Sequence, residues 1–427
     1  MGRTPGTGFG YWTLVFLVVA NMVGAGVFTT SGFLLDSLGD SRLVLLAWLV
    51  AGLIAISGAL SYGLLAERLP VSGGEYVYLT RSGFPFAGFV AGWVSLLAGF
   101  SGAIAYAALA LESHLPGNYP EKLPAIFVVI LGAALHGRRR LLGAGAQNAT
   151  VILKIILIVA IILVGLSQLT SSGWQGWNPE TSPSWSQFPS FAEALVWISL
   201  SYSGFNAAVY VAGESSTPQT IRRALVTGTA VVTMMYLALN ALFAAAPPAS
   251  VVSGKEDVAA LAAGWIGGPP FEGFVRLVIS LALLTSVLAM MMTGPRVYGK
   301  MAEDGILPKI FVIRPDRVGP AVILQMVLAL ALILAGNLRD LLGYLGLTLS
   351  LCAAVSVLCL FRKETHEILK GWQVVPPLLF VGATLSAAAF LVWHDPWQAL
   401  GTVITIAAGA VGYLVLGRRK KGGNHSI

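Results

Sequence analysis

Two apolar runs of the chain are interrupted at mid-length by small and polar residues. The run 11–35 contains Gly24-Ala25-Gly26, and the run 191–212 contains the stretch S-Y-S-G-F-N at 201–206. An unpaired backbone group in hydrocarbon costs several kcal/mol, so a helix breaks there only where protein, water or a ligand completes the exposed groups. Both interruptions therefore predict a binding function, with close helix packing through small residues as the alternative interpretation.

The chemistry of such breaks follows from the ends of the helices. A half-helix that begins near Ala25 presents free N–H groups and the positive end of its dipole, which suit a carboxylate. The carbonyls that end the preceding half-helices, near Met22 and near 200–203, suit an ammonium group. Together, the two breaks predict a receptor for the zwitterionic end of an α-amino acid.

The composition indicates which elements hold these breaks. Of 427 residues, 56% are hydrophobic and 11% are charged, against about 25% charged in soluble proteins. The mean hydropathy is +0.80, and apolar runs of about 20 residues, long enough to cross a bilayer as helices, recur along the chain. We therefore expect an all-α integral membrane protein. The twelve predicted transmembrane helices are 11–35, 43–65, 86–111, 123–136, 147–167, 191–212, 224–246, 271–293, 319–336, 340–361, 374–393 and 397–417.

The basic residues predict the orientation. If all twelve helices cross and the N-terminus is cytoplasmic, 20 of the 26 Lys and Arg residues fall on the cytoplasmic side. The other six are Arg42, Lys122, Lys255 and Arg339 on the outer side, and Lys154 and Arg276 within spans. This bias explains the net charge of +7 by topology and by contact with anionic membrane lipid, so no nucleic-acid partner is expected.

The two breaks fall in spans 1 and 6, five spans apart. This spacing is expected if spans 1–5 and 6–10 are inverted repeats with a binding site between them at the midplane. The predicted organisation is a cytoplasmic tail at 1–10, a first repeat at 11–167, a second repeat at 191–361, two further helices at 374–417 and a cytoplasmic tail at 418–427.

Lys154 is an ionisable residue inside an apolar span, on the order of 10 Å from its predicted cytoplasmic end. Intramembrane charges mark functional sites by default, although a lysine near an interface can also extend its ammonium to the headgroups. Elsewhere, the five histidines and two cysteines show no metal-ligand spacing, and no catalytic triad or phosphate loop is present. Neither catalysis nor a metal or cofactor is expected.

Four segments in a fixed order carry a resemblance to a known family: V-G-A-G-V-F at 23–28, P-V-S-G-G-E-Y-V-Y-L-T-R-S-G-F at 70–84 leading into G-F-V-A-G-W, S-Y-S-G-F-N at 201–206 followed by G-E, and G-P-R-V-Y-G-K-M-A-E-D-G-I-L-P at 294–308. The chain resembles the amino acid, polyamine and organocation transporter superfamily along nearly its whole length, and within it the L-type amino acid transporter branch. This resemblance implies the LeuT-type fold, with a 5+5 inverted repeat and two C-terminal helices.

The resemblance implies roles for individual residues. It assigns substrate contacts to eight of them: N–H groups for the carboxylate at Ala25, Gly26 and Val27, carbonyls for the ammonium at Met22, Leu200 and Ser203, and the side chains of Phe205 and Asn206. It also implies that the ammonium of Lys154 replaces a sodium ion of the sodium-coupled relatives. Where the family often has an aromatic gate, this chain has Leu200. Gating candidates are Tyr202, Glu214 and Arg296, and charges of the intracellular loops are candidates for ion pairs that close the inward path.

The expected function is sodium-independent secondary transport of amino acids across the plasma membrane by alternating access. The mode is either exchange or symport with a proton. The alternatives are a transporter of polyamines or organic cations and, less favoured, a polytopic membrane enzyme. The sequence predicts neither the preferred amino acid nor the oligomeric state.

Overall fold

The computed structural model describes residues 10–71, 73–138, 144–177, 187–214, 217–305, 307–312, 319–362 and 369–421. Most of the two predicted tails therefore lies outside the described residues. Sixteen α-helices follow one another along this part of the chain: α1 Tyr11–Met22, α2 Gly26–Leu38, α3 Ser41–Arg68, α4 Gly74–Arg81, α5 Pro85–Val94, α6 Ala103–His114, α7 Leu123–Arg138, α8 Ala144–Ser172, α9 Phe188–Tyr202, α10 Pro218–Asn240, α11 Ala249–Val252, α12 Val258–Glu303, α13 Gly319–Ala335, α14 Leu338–Leu358, α15 Val375–His394 and α16 Leu400–Lys421.

Within the described residues, nine helical stretches are long and apolar enough to cross a membrane, and the bent pair α1 and α2 adds a tenth. One of the nine joins α5 and α6 through a π-helical segment, Ser95–Gly102. Two shorter apolar helices, Leu123–His136 and Gly319–Ala335, coincide with the predicted fourth and ninth spans. The all-helical membrane fold is confirmed, and the number of twelve spans, which requires both shorter helices to cross, stays a prediction.

Local sequence explains where several helices begin. Asp40 caps α3 by accepting a hydrogen bond from the Arg42 backbone N–H at 2.8 Å. Asn337 and Asp340 form a reciprocal capping box at the start of α14. Pro85 opens α5, where its missing N–H costs no helical hydrogen bond.

The connections contain more helix than the sequence suggested. The loop after α3 forms the short helix α4, and α12 extends well beyond the predicted span 271–293 on both sides. Gly268, with φ of +71°, interrupts α12 just before two prolines, which cannot donate helical hydrogen bonds. Residues 258–267 therefore form a separate helical segment before the span.

The broken helices lie at the centre of the packing. α2 contacts α9 and α12, while α1 packs along α10, and α3 packs against both α9 and α10. Between these helices, the rings of Trp48, Tyr202 and Tyr236 form a buried aromatic cluster with centroid distances from 5.3 to 6.1 Å. This core fixes the positions of the two breaks relative to each other.

Candidate functional site

The first break separates α1 from α2. α1 ends at Met22, Val23 is extended with φ of −71° and ψ of 92°, and α2 begins at Gly26 with its axis bent by 46°. No side chain caps α2, and within the described residues the N–H groups of Ala25, Gly26 and Val27 have no acceptor, whereas the Phe28 N–H donates to the Ala25 carbonyl at 3.0 Å. The predicted carboxylate-binding residues Ala25, Gly26 and Val27 thus lie together at a helix N-terminus, and all three are buried.

The second break lies between α9 and a 3₁₀-helical segment, Ala207–Glu214. Gly204 has φ of +100°, a conformation that favours glycine, and a β-carbon there would lie 2.8 Å from the Asn21 carbonyl oxygen. On the other side, a β-carbon at Gly26 would lie 2.2 Å from Ser201 Oγ. The two breaks are therefore in direct contact, and both contacts require the absence of a side chain.

Tyr236 of α10 joins the carbonyl ends of the two half-helices. Its hydroxyl lies 2.7 Å from the Met22 carbonyl oxygen and 3.0 Å from the Ser201 carbonyl oxygen, and it is fully enclosed by protein. Sequence reasoning missed this residue. The available signal was a tyrosine hydroxyl in an apolar span, which needs a buried partner.

The carbonyls predicted to hold an ammonium differ in how far the protein already satisfies them. The Leu200 oxygen accepts hydrogen bonds from the Ser203 N–H at 3.1 Å and from the Ser203 hydroxyl at 2.6 Å, which occupies both its lone pairs. The Met22 oxygen keeps one lone pair beside Tyr236. The Ser203 oxygen has no donor among the residues that the structure describes. Met22 and Ser203 therefore offer better acceptors than Leu200.

Lys154 of α8 extends its ammonium into the first break. The Nζ atom donates to the Val23 carbonyl oxygen, and to Ser286 Oγ of α12 at 3.0 Å. The side chain is 9% exposed and directed inward, so the alternative that it reaches for the interface does not describe this structure. Lys154 thus supplies a fixed cation between the broken span and α12.

The side chains of Asn206 and Phe205 make contacts with α3, α4 and α15. The Asn206 amide donates to Glu75 Oε1 at 2.5 Å. Phe205 packs its ring against Tyr62 of α3 and Phe380 of α15, with centroids 5.4 and 5.8 Å away. Neither side chain is brought to the open N-terminus of α2, and their contact with a substrate stays a prediction.

Glu75 of α4 is the centre of a buried polar group on the predicted cytoplasmic side. Besides Asn206, it accepts hydrogen bonds from the hydroxyls of Tyr62 at 3.0 Å and Tyr210 at 2.6 Å. We call Tyr62, Glu75, Asn206 and Tyr210 the inner cluster. It connects α4 with α3 and with the chain just after the second break through hydroxyl and amide donors. Among the loop charges expected to form ion pairs, Arg222 pairs with Glu67 at 3.0 Å, outside this cluster.

A second contact holds α4 on this side. The Tyr76 hydroxyl donates a hydrogen bond of 3.4 Å to the carboxylate of Asp304, which follows α12. Burial and the Asp304 carboxylate raise the pKa of Tyr76 to about 12, so its hydroxyl stays protonated at physiological pH.

On the predicted outer side, Arg339 at the start of α14 covers the outer halves of both broken spans. Its guanidinium lies 3.2 Å from the Asp36 carboxylate, and it stacks over the rings of Phe33 and Trp197 at 5.7 and 5.2 Å. We call Phe33, Asp36, Trp197 and Arg339 the outer cluster. It joins α2 to α9 and α14.

The gating candidates lie in different surroundings. Tyr202 belongs to the aromatic cluster, and its hydroxyl lies 3.3 Å from the Trp48 carbonyl oxygen. Arg296 is exposed at the predicted cytoplasmic end of α12. The side chain of Glu214 lies outside the described residues. Gating by any of the three stays a prediction.

Comparison with known sequences gives one family across this fold. Residues 9–416 match the family described as amino acid permease, which is nearly the whole chain.

Individual relatives are similar over most of their length. The chain is 27% identical to solute carrier family 7 member 13 of Mus musculus, covering 88% of this chain and 82% of that protein. It is 27% identical to the serine/threonine exchanger SteT of Bacillus subtilis, covering 74% of each. It is 25% identical to the cystine/glutamate transporter of Homo sapiens, covering 94% of this chain and 84% of that one.

Proposed function

Because the chain belongs to the amino acid permease family, we propose that this multi-pass membrane protein carries amino acids by alternating access and without sodium. Amino acid transport follows from the family, which is one of transporters and not of enzymes, and the polyamine alternative is not favoured. The absence of sodium coupling is the further step.

The contact of Lys154 with the first break carries the proposal of sodium independence. The Val23 carbonyl and the Ser286 hydroxyl are oxygen ligands of the kind that a sodium ion uses, and the Lys154 ammonium already occupies both. The ammonium at this place performs the electrostatic work of a bound ion. It balances the break and ties α8 to α12.

The zwitterionic end of the amino acid fits between the two helix ends. We assign the carboxylate to the N–H groups of Ala25, Gly26 and Val27, which form the open N-terminus of α2. We assign the ammonium to the carbonyls of Met22 and Ser203, whose oxygens retain free lone pairs. We do not assign Leu200 to the ammonium, because both lone pairs of its carbonyl oxygen are already occupied.

Alternation requires contacts that break and re-form on the two sides of the site. The inner cluster ties the chain after the second break to α4, and the outer cluster ties α2 and α9 to α14. We propose that these two clusters open in turn. Both clusters contain residues of the broken spans. Whether a cluster is closed or open therefore depends on the positions that the half-helices take around the substrate.

Two transport modes are compatible with this site, exchange of one amino acid for another and symport with a proton. A counterflow experiment separates them. In reconstituted vesicles without a pH gradient, an exchanger takes up labelled amino acid only when unlabelled amino acid is present inside. A proton symporter accumulates it from an empty interior once an inward proton gradient is imposed.

We propose that both termini lie in the cytoplasm and that the protein resides in the plasma membrane, because this orientation puts most of the basic loops on the inner side. A reporter fused after residue 427 that is active only in the cytoplasm tests this orientation. Activity of a periplasmic or extracellular reporter at the same position would refute it.

Binding is tested by thermal stability of the detergent-purified protein with each of the twenty amino acids and with putrescine and spermidine. A ligand that binds the native state raises the apparent melting temperature. We expect at least one amino acid to stabilise the protein and its decarboxylated amine to have no effect, because the amine lacks the carboxylate. Stabilisation by polyamines alone would overturn the proposal.

A further inference from the structure

Ser201 in α9 has a buried hydroxyl that lies beside the open N-terminus of α2. The residue is 3% exposed, and its Oγ has no hydrogen-bond partner among the residues that the structure describes. The same Oγ lies 2.2 Å from the position that a β-carbon of Gly26 would take. A donor without an acceptor therefore lies next to Gly26, the first residue of α2. The N–H groups at the start of this helix also lack acceptors.

Neighbouring serines show that a serine hydroxyl in this part of the chain can find a partner within the protein. Ser199 and Ser203 each donate to a carbonyl three residues earlier, at Val196 and Leu200, both at 2.6 Å. Ser201 makes no such bond within the described chain. A buried hydroxyl left without a partner is destabilising, so an acceptor from outside the chain is favoured at this position.

We propose that the Ser201 hydroxyl donates a hydrogen bond to the carboxylate of the bound amino acid. This inference rests on the proposed function and adds a side-chain donor to its backbone site. Carboxylate oxygens are strong acceptors, and a donor beside a helix N-terminus adds to the attraction of the helix dipole for a negative charge.

The position of the Ser201 backbone supports the same assignment. Its carbonyl is held by Tyr236, whose hydroxyl also contacts the Met22 carbonyl. Tyr236 thus fixes the distance between the Ser201 hydroxyl, which faces the carboxylate end, and the Met22 oxygen, which faces the ammonium end. Since every α-amino acid carries both groups, Ser201 contributes affinity without selecting among side chains.

The test compares Ser201→Ala with Ser199→Ala, its matched control in the same helix. L-alanine, L-serine, L-leucine, L-lysine and L-glutamate serve as probes, and the dissociation constant comes from the concentration dependence of the melting temperature. For every probe that binds the wild type, Ser201→Ala raises the constant about 10-fold or more, by a similar factor, because one charge-assisted hydrogen bond is lost. Ser199→Ala leaves it within about 2-fold.

The stability without ligand gives an independent measurement. Ser201→Ala removes an unpartnered hydroxyl, so its ligand-free melting temperature equals or exceeds that of the wild type. Ser199→Ala loses bonds to the carbonyls of Val196 and Gly346 and melts earlier. A Ser201→Ala protein that fails to fold would show that the hydroxyl has a structural partner, which overturns the proposal. Ser201→Cys, which fills the same place with a weak donor, is expected to lose affinity as well.

Other results are equally decisive. Equal affinity of Ser201→Ala, Ser201→Cys and the wild type would overturn the role of Ser201 while leaving amino acid transport intact. A loss confined to one probe, such as L-serine, would assign the hydroxyl to the substrate side chain and also refute the proposal. If none of the amino acids stabilises the wild type, the proposed function fails before Ser201 is at issue.

Discussion

Gly26 occupies a place where any side chain would collide with α9. A β-carbon there would lie 2.2 Å from Ser201 Oγ and 3.2 Å from Ser201 Cα, so that the backbone of α9 would have to move. We expect Gly26→Val to reach the membrane but to lose amino acid binding. Gly26→Ala should cost about 1–3 kcal/mol of stability by overpacking.

Thermal stability with and without amino acid measures both effects. Gly382→Ala in α15 is the matched control, because a β-carbon there meets no atom within 4 Å. Normal binding by Gly26→Val would mean that the small residues of the first break serve packing alone.

Lys154 is expected to be more important for transport than its partner Ser286. Lys154→Met leaves the Val23 carbonyl without a donor inside the membrane, which costs several kcal/mol. Ser286→Ala removes one bond of 3.0 Å and keeps the contact with Val23. We predict that uptake falls by more than about 10-fold in Lys154→Met and by less in Ser286→Ala. Equal uptake by Lys154→Met and the wild type would refute the role of the ammonium.

Sequence-based prediction succeeded more often for residues whose role depends on their own backbone. It succeeded less often for residues whose role depends on a partner far along the chain. Gly26 and Lys154 were identified because a glycine pair and a cation are unusual in an apolar span. Asn206 was assigned to the substrate, yet its amide meets Glu75, which is 131 residues away. Tyr236 was missed because its partners are two backbone carbonyls that only the folded chain brings together.

At the scale of helices, both breaks were predictable and their mutual contact was not. Glycine and serine at mid-span signal that a helix ends, and α1 and α9 do end there, at Met22 and Tyr202. The approach of Gly204 to Asn21 depends on crossing of the two spans, which no local pattern encodes. For the same reason α4 was not anticipated, since its docking depends on the inner cluster.

The inner cluster should control access from the cytoplasmic side. Glu75→Gln weakens the hydrogen bonds from Tyr62, Asn206 and Tyr210, because a neutral amide is a poorer acceptor than a carboxylate and also carries its own donors. We predict that the variant opens more often towards the cytoplasm. Cys352 of α14, which lies close enough to Glu75 to interact electrostatically, is the reporter.

The measurement is the rate at which a maleimide alkylates Cys352 in a Cys359→Ser background. This rate should rise several-fold in Tyr62→Phe as well as in Glu75→Gln, because Tyr62→Phe loses a hydrogen bond to Glu75 and keeps the carboxylate charge near Cys352. The control is Glu67→Gln, a carboxylate that pairs with Arg222 at 3.0 Å outside the inner cluster. Equal alkylation rates in Glu75→Gln and its parent would exclude Glu75 from the inner gate.

At the scale of the whole molecule, composition and charge were informative because a membrane constrains both. Few charges and repeated apolar runs predicted an all-helical membrane protein, and the described residues have that fold. The helical segment 258–267 and the helix α4 were less predictable from the sequence. A connection outside the bilayer does not need the long apolar run that identifies a transmembrane helix. The helices α7 and α13 are shorter than the other spans, so that their crossing of the membrane stays a prediction.

Uptake into proteoliposomes with sodium replaced by choline tests the central claim most directly. The probe is the labelled amino acid that most stabilises the purified protein, with the same unlabelled amino acid inside the vesicles and protein-free vesicles as the control. With the Lys154 ammonium fixed between Val23 and Ser286, the initial rate should be the same in choline and in sodium. Uptake that disappears in choline and returns with sodium would contradict it.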